Sequence, residues 1–379
     1  MDSNENLTKT IDNKNPFDNI TEYRDYNSDY SEVVPQINIP GCRIPFVPSK
    51  EEKRNIRRFY NIAGGGLAIH YLSAVILGNV LTILASLILK WRDSSLGELP
   101  AGYSDMASDY LSKSSIQMGC TAIVYLLCNV LVFLLGSRVS KIKLGSYFQT
   151  QNLSGGKLIR YIGVGAFLQI VSAYLVVLID YLTKGSGLTD VEADFYNGNN
   201  IHMIIVTTLY ACIIAPITEE LLYRGFVMKN LSRVSQRFGI FMSAFLFGLA
   251  HGNVKQFVLA FILGIFLGYI DTKHNSLVPS IIVHAVVNTI STVEAVTLSF
   301  DKTAAMLIAA LFTLTALAGG GTAFVFTIIK EHLPFTTPHQ KIRGGRIAAT
   351  SWGLISAVVI MIGLYIFIMM LTSATAALQ

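Results

Sequence analysis

Two adjacent carboxylates, Glu219 and Glu220, stand at the end of an apolar run, where ionisable side chains are costly. Successive residues of a helix point about 100° apart, so these two side chains cannot share one face. Glu220 and Arg224 are spaced i, i+4 with the acid first, the favourable order for a helical ion pair. This pairing leaves Glu219 without a nearby cation, and a poorly hydrated, unpaired carboxylate is a candidate general base. The alternative is an acidic first turn of a short amphipathic helix that begins at Pro216.

Two later stretches supply candidate partners for Glu219. His284 and Asn288 are spaced i, i+4, so both project from one face of a helix. A neutral imidazole and a carboxamide can both donate hydrogen bonds to a developing oxyanion. Polar contacts that only hold membrane helices together are the alternative. His251 follows Phe247 by four residues and is either a third member of the site or a residue at a helix end.

The depth of these residues in the bilayer is a partial check on a shared site. If Arg224 lies at the cytoplasmic rim, Glu219 lies about 8 Å inside and His284 about 10 Å inside. Counted from Phe238, His251 comes out about 20 Å deep. His251 is therefore too deep for a common site unless its helix is tilted or starts lower.

The composition is that of a membrane protein. Of 379 residues, 52% are hydrophobic and 14% are charged, against about 25% charged residues in a soluble domain. The sequence predicts an all-α, polytopic membrane helical bundle with about eight or nine transmembrane spans, placed in the cell membrane in contact with lipid. The net charge of +5 is spread over loops between spans rather than over one soluble face, so no nucleic-acid partner is expected.

Apolar runs of roughly 17–25 residues, and two shorter ones, divide the chain. They predict spans at 62–89, 116–136, 158–182, 201–226, 238–250, 254–270, 277–296, 304–329 (interrupted at Gly319–Gly321) and 349–370. Most Lys and Arg lie in the tail and loops on the same side of the membrane as the N-terminus. By the positive-inside rule, this distribution predicts a cytoplasmic N-terminus. We divide the chain into a polar cytoplasmic tail (1–56), N-terminal spans (57–199), a catalytic core of four helices (200–296) and C-terminal spans (297–379).

Several other polar residues lie in or near the spans. Asp180 and Asp271 fall at span ends, where we expect water to solvate them. Asn79, Asn129 and Gln169 are predicted to form hydrogen bonds between helices.

Taken in order, the three motifs resemble those of the CPBP family, which comprises CAAX prenyl endopeptidases and bacteriocin-processing or immunity proteins, also called the Abi family. The matching residues are Glu219, Glu220 and Arg224 (Glu-Glu-x-x-x-Arg), Phe247 and His251 (Phe-x-x-x-His), and His284 and Asn288 (His-x-x-x-Asn). The resemblance covers about residues 200–295.

The resemblance implies a CAAX-protease-like intramembrane endopeptidase, a hydrolase whose core is the fourth to seventh spans. It implies that Glu219 and His251 activate a water molecule, and that His284 and Asn288 stabilise the oxyanion. It makes Glu220 and Arg224 structural supports. No cofactor is expected. Zinc bound by Glu219, His251 and His284 is the alternative, although the sequence contains no H-E-x-x-H helix.

The implied substrate is a peptide or protein presented at the membrane. A non-enzymatic membrane scaffold or bacteriocin-immunity protein is the main alternative, and in that case the polar residues would be replaceable. A solute transporter would carry matching interrupted helices in two halves, and the sequence contains no visible internal repeat. Nothing in the sequence indicates the oligomeric state.

Overall fold

The computed structural model describes residues 50–377 except 96, 101, 113, 143, 149, 151–152, 184–199, 234 and 332–343. The described residues contain helices and no strands. We number the helices α1 (Lys50–Ser94), α2 (Tyr103–Ser112), α3 (Ser115–Val139), α4 (Gly155–Leu182), α5 (Ile201–Leu231), α6 (Gln236–Leu249), α7 (Val254–His274), α8 (Val278–Phe300), α9 (Lys302–Lys330), α10 (Gly344–Ala348) and α11 (Trp352–Ala377). A short 3₁₀ turn, Leu144–Ser146, follows α3.

Every predicted span corresponds to one of these helices, which confirms the all-α membrane bundle. Seven helices of the described chain are long and apolar enough to cross a membrane, and two shorter apolar ones, α6 and α11, complete the set. Large apolar side chains such as Ile69, Leu127 and Leu311 are exposed on the outer surface, where hydrocarbon can cover them. The chain is therefore a multi-pass membrane protein. Its predicted tail lies outside the described residues up to position 49, and its orientation stays a prediction.

The fourth span, α5, is helical from end to end but changes its hydrogen-bond register twice. Two π-helical segments, Tyr210–Ile214 and Leu221–Met228, flank the α-helical stretch Ala215–Glu220 that carries the two carboxylates. Proline lacks an N–H and its ring displaces the carbonyl one turn earlier, so Pro216 gives a local reason for the first change. The Ala215 N–H accordingly bonds to the carbonyl of Tyr210, five residues back.

Helices α5 and α6 form an antiparallel hairpin. Ser235 begins α6 by accepting a hydrogen bond from the backbone N–H of Phe238. Farther from the turn, Ser243 Oγ donates a 2.9 Å hydrogen bond to the carbonyl of Tyr223. The ring centroids of Tyr223 and Phe247 lie 5.0 Å apart. Residues of α5 thus pair with residues of α6 that lie at a similar distance from the turn.

Two apolar clusters hold the bundle together. The larger joins α1, α3, α5, α6 and α11 around Leu222, Phe226 and Phe247, which are all buried. The smaller joins α4, α7 and α8 around Leu263 and Val283. The four-helix core α5–α8 therefore packs against α1, α3 and α11 through the larger cluster and against α4 through the smaller one.

The predicted interruption of the eighth span is wrong, because α9 runs through its glycines. The segment Ala316–Gly320 is π-helical and the helix then continues to Lys330. A Cβ at Gly320 would lie 2.4 Å from the carbonyl oxygen of Gly163. Gly320 therefore permits close packing of α9 against α4 rather than a break.

Of the three predicted hydrogen bonds between helices, two are confirmed and one is wrong. Asn129 and Gln169 do bond between helices, to Thr218 (3.0 Å) and Ser291 (2.8 Å). The prediction for Asn79 is wrong: its amide donates to the carbonyl of residue 75 in its own helix and is exposed.

The prediction that water solvates Asp271 is also wrong, since this residue is fully buried. Helix α7 ends inside the protein, where the next helix begins with the Leu277 N–H bonded to the carbonyl of Tyr147. The end of an apolar run was therefore not the membrane surface at this position.

Candidate active site

The second carboxylate of the pair is a buried member of an ion pair. Oε1 of Glu220 accepts a 2.8 Å hydrogen bond from Nη1 of Arg224, and both side chains are at most 1% exposed. The guanidinium also donates to the carbonyl of Gly264 on α7 and lies over the ring of Phe247, 4.5 Å from its centroid. The pair that the i, i+4 spacing predicts thus ties α5 to α6 and α7.

The first carboxylate has a different environment. The Glu219 side chain is 20% exposed, whereas that of Glu220 is fully buried. Only Glu219 can therefore meet water or a substrate without a rearrangement of the bundle. Helical geometry has separated the two adjacent acids into a supporting group and an accessible group.

His284 on α8 lies between the two carboxylates. Its Nδ1 is 3.0 Å from Oε1 of Glu220, and its Nε2 is 3.8 Å from Oε2 of Glu219. A carboxylate can only accept, so Nδ1 carries a proton that is donated to Glu220. A neutral His284 consequently has no donor left at Nε2, and only the protonated imidazolium can donate to a second group from that atom. The sequence-based prediction of a neutral donor therefore needs this correction.

His251 reaches the same site from α6 by way of Phe247. The Nδ1 of His251 lies 2.9 Å from the Phe247 carbonyl, which can only accept, so this hydrogen bond leaves Nε2 of a neutral ring as an acceptor. The Phe247 ring makes edge contacts with both imidazoles, with centroids 5.0 Å from His251 and 5.7 Å from His284. Phe247 is thus the apolar wall that both histidines share.

The depth difference at His251 comes from counting from Arg224. Arg224 is not the end of the fourth span: it is buried, and α5 continues to Leu231. From Leu231, Glu219 lies about 18 Å along the helix, close to the about 20 Å found for His251. The hairpin pairs Tyr223 with Phe247, and the same register places Glu219 opposite His251.

Asn288, one turn beyond His284, completes the hydrogen bonding of the irregular segment of α5. Its Nδ2 donates a 2.9 Å hydrogen bond to the carbonyl of Ala211. In the π register that carbonyl would bond to the backbone nitrogen of Pro216, which has no hydrogen. Asn288 therefore satisfies an acceptor that Pro216 leaves open, and its carboxamide keeps a second N–H.

Tyrosines surround Glu219, and the sequence motifs did not point to them. Tyr71, Tyr125, Tyr210 and Tyr223 all lie within electrostatic range of its carboxylate. The hydroxyls of Tyr71 and Tyr223 are 2.8 Å apart and buried. Only Tyr223, one turn after Glu219 on the same helix, has a spacing that could have revealed it. Tyr210 also lies on α5, before the carboxylates, whereas Tyr71 on α1 and Tyr125 on α3 approach through tertiary packing.

The donor set of the site bears on the zinc alternative. Among the described residues, no group of three or more His, Cys, Asp or Glu side chains is arranged to hold a metal ion. Nδ1 of His284 and Nδ1 of His251 both have protein acceptors. Zinc at Glu219, His251 and His284 would have to use Nε2 of both histidines and an oxygen of Glu219.

Comparison with known proteins agrees with the motifs. Residues 201–290 match the model of the type II CAAX prenyl endopeptidase Rce1-like family. A curated relative, UPF0177 protein YxdF of Lactococcus lactis, is 25% identical over 130 residues, which are 32% of this chain and 68% of the relative. No solved structure matches the chain.

The matched segment, 201–290, contains α5, α6, α7 and the part of α8 that carries His284 and Asn288. It therefore includes every motif residue of the site. The resemblance to the CPBP family that the motifs predicted is confirmed, because residues 201–290 of this membrane protein match the type II CAAX prenyl endopeptidase model.

Proposed function

We propose that the chain is an intramembrane endopeptidase that hydrolyses a peptide bond in a peptide or protein presented at the membrane. The observation that carries the proposal is the 3.8 Å separation between Oε2 of the partly exposed Glu219 and Nε2 of the buried His284. A single water molecule can bridge two polar atoms at such a separation. The family match makes proteolysis the reaction class to which this geometry is assigned.

In the proposed first step, the Glu219 carboxylate takes a proton from a water molecule while the water oxygen forms a bond to the scissile carbonyl carbon. Nε2 of a neutral His251 accepts the second hydrogen bond of that water and orients it. The candidate base is the exposed carboxylate of the pair, and its neighbour Glu220 stays committed to Arg224.

The carbonyl oxygen becomes an oxyanion in this step. We assign its stabilisation to the Nε2–H of protonated His284 and to the second N–H of Asn288. Glu219, Glu220, Arg224 and protonated His284 together carry no net charge, which lowers the cost of holding them in an apolar bundle. The intermediate then collapses: the carbon–nitrogen bond breaks, and the proton held by Glu219 passes to the leaving amine.

The test is the isosteric Glu219→Gln variant, with Glu294→Gln on α8 as a matched carboxylate control. Membrane fractions of cells that express wild type or either variant are compared by mass spectrometry of protein termini. We expect a set of new termini that is present with wild type and Glu294→Gln and missing with Glu219→Gln. Thermal unfolding in detergent checks that both variants are folded.

A folded Glu219→Gln protein that produces all the wild-type termini would overturn the proposed mechanism. Wild-type biological function in that variant would favour the non-enzymatic scaffold or immunity protein instead. Cytoplasmic placement of the N-terminus, which the Lys and Arg distribution predicts, is tested separately with reporter fusions at residue 1.

A further inference from the structure

A groove of about 750 Å³ opens between α1 and α3, away from the catalytic motifs. Its α1 wall is a single helical stripe, because Arg54, Arg58, Ile62, Gly65 and Ile69 recur every three or four residues. The stripe is basic at its start and apolar for the rest of its length. The groove is therefore amphipathic along its axis.

The opposite wall is apolar. It consists of Val132, Leu135 and Val139, which share one face of α3. These side chains and the apolar half of the α1 stripe leave a hydrocarbon-like trough that begins beside the basic end.

The floor of the trough is the ring of Phe226 from α5. The ring enters between α1 and α3 only because both helices carry glycine there. A Cβ at Gly66 would lie 2.7 Å from Cε1 of Phe226, and a Cβ at Gly136 would lie 2.4 Å from its Cε2. Gly65, one residue earlier, has no atom within 4 Å of a Cβ position, so it faces the open groove.

The charged end has the features of a membrane interface. The side chains of Arg54 and Arg58 are exposed, and Arg57 donates a hydrogen bond to Oγ1 of Thr350 at the foot of α11. Trp352, which also lines the groove, is 67% exposed. Arginine binds phosphate oxygens well, and tryptophan is enriched at the headgroup level of bilayers.

We propose that this groove binds an anionic phospholipid. The phosphate lies at Arg54 and Arg58, and one acyl chain lies along the apolar trough as far as Phe226. The basic end complements the charge of the lipid phosphate, and the apolar walls match its acyl chain. A water-soluble anion would match the basic end alone. The proposal does not depend on the proposed proteolysis, because none of the groove residues belongs to the catalytic set.

Two pairs of variants test the two halves of the site. Arg54→Gln/Arg58→Gln removes the basic end, and Lys90→Gln/Arg92→Gln makes the same change in charge at the other end of α1, where both residues are exposed. Gly65→Leu fills the trough. Gly78→Leu is its control, because Gly78 lies on the same helix, also has open space at its Cβ position and does not line the groove.

The measurement is the binding of phosphatidylglycerol and of phosphatidylcholine to the full chain in detergent, followed by native mass spectrometry. We expect wild type to prefer phosphatidylglycerol. The double arginine variant should lose about tenfold in affinity for phosphatidylglycerol and little for phosphatidylcholine. Gly65→Leu should weaken both lipids, and the two control variants should behave as wild type.

Three results would overturn the proposal. One is equal binding of the two lipids by wild type. A second is equal lipid binding by Gly65→Leu and Gly78→Leu, with matching thermal unfolding curves. The third is displacement of the lipid by glycerol phosphate at the same concentration, which would indicate a site for a free anion. If Gly65→Leu fails to fold, the exposed arginine pair and its control still decide the outcome.

Discussion

Nδ1 of His284 donates a 3.0 Å hydrogen bond to Oε1 of Glu220, the same oxygen that accepts from Nη1 of Arg224. The buried carboxylate thus positions a cation on one side and an imidazole on the other. It fixes the His284 ring so that Nε2 faces the accessible Glu219. Glu220 supports the site through this orientation, since a fully buried side chain cannot itself reach a substrate.

Removal of Arg224 should destabilise the protein strongly. Arg224→Met leaves the Glu220 carboxylate buried beside His284 alone, and breaking a buried pair in this way costs about 3–5 kcal/mol. Glu220→Leu/Arg224→Met removes both charges and should recover much of the lost thermal stability, while cleavage stays absent because His284 has lost its anchor. Thermal unfolding in detergent measures the first effect and the termini assay the second. An unchanged melting temperature for Arg224→Met would contradict the assignment.

Substitution of Asn288 should affect stability as well as chemistry. Asn288→Ala leaves the part-buried Ala211 carbonyl without its 2.9 Å hydrogen bond, and loss of a partner costs at most about 1–3 kcal/mol, the range for a fully buried acceptor. Asn288→Asp should behave similarly, because a carboxylate cannot donate to a carbonyl. The control is Asn79→Ala, whose exposed amide bonds only to its own helix. If Asn288→Ala unfolds at the wild-type temperature and only activity falls, the bond to Ala211 contributes no stability.

Substitution of His251 should reduce cleavage and leave the fold in place. His251 lies in the turn after α6 and makes an edge contact with the Phe247 ring, so His251→Ala should lower the cleavage rate by about 10²–10⁴ with a small change in melting temperature. His202→Ala, on the exposed start of α5, is the control. Full activity of a folded His251→Ala protein would remove His251 from the proposed mechanism and leave Glu219 as the only base.

Metal chelation should leave cleavage unchanged. The prediction follows from the donor geometry, because no cluster of three donor side chains that could hold a metal ion is found among the described residues. Purified protein is dialysed against a chelator and assayed with and without added Zn²⁺. Loss of activity on dialysis and its return with Zn²⁺ would establish the zinc alternative at Glu219, His251 and His284.

Much of the candidate site could be predicted from spacing alone. The i, i+4 relations of Glu220 with Arg224 and of His284 with Asn288 are local properties of a helix, and the structure contains the first as an ion pair. The depth of His251 could not be derived in this way. It required the true end of α5 at Leu231 and the hairpin with α6, because apolar runs show where a helix is hydrophobic and not where the membrane surface lies.

Hydropathy and helical periodicity act over short distances along the chain, so the sequence was enough to predict the class of the protein, its helices and different roles for Glu219 and Glu220. Which groups meet depends on how the helices pack. Packing brought Phe247 between two histidines, turned Nδ1 of His284 toward Glu220, and joined Asn288 to the carbonyl that Pro216 leaves open. These contacts join helices far apart in sequence, and their geometry depends on how π-helical turns and close helix packing rotate each side chain.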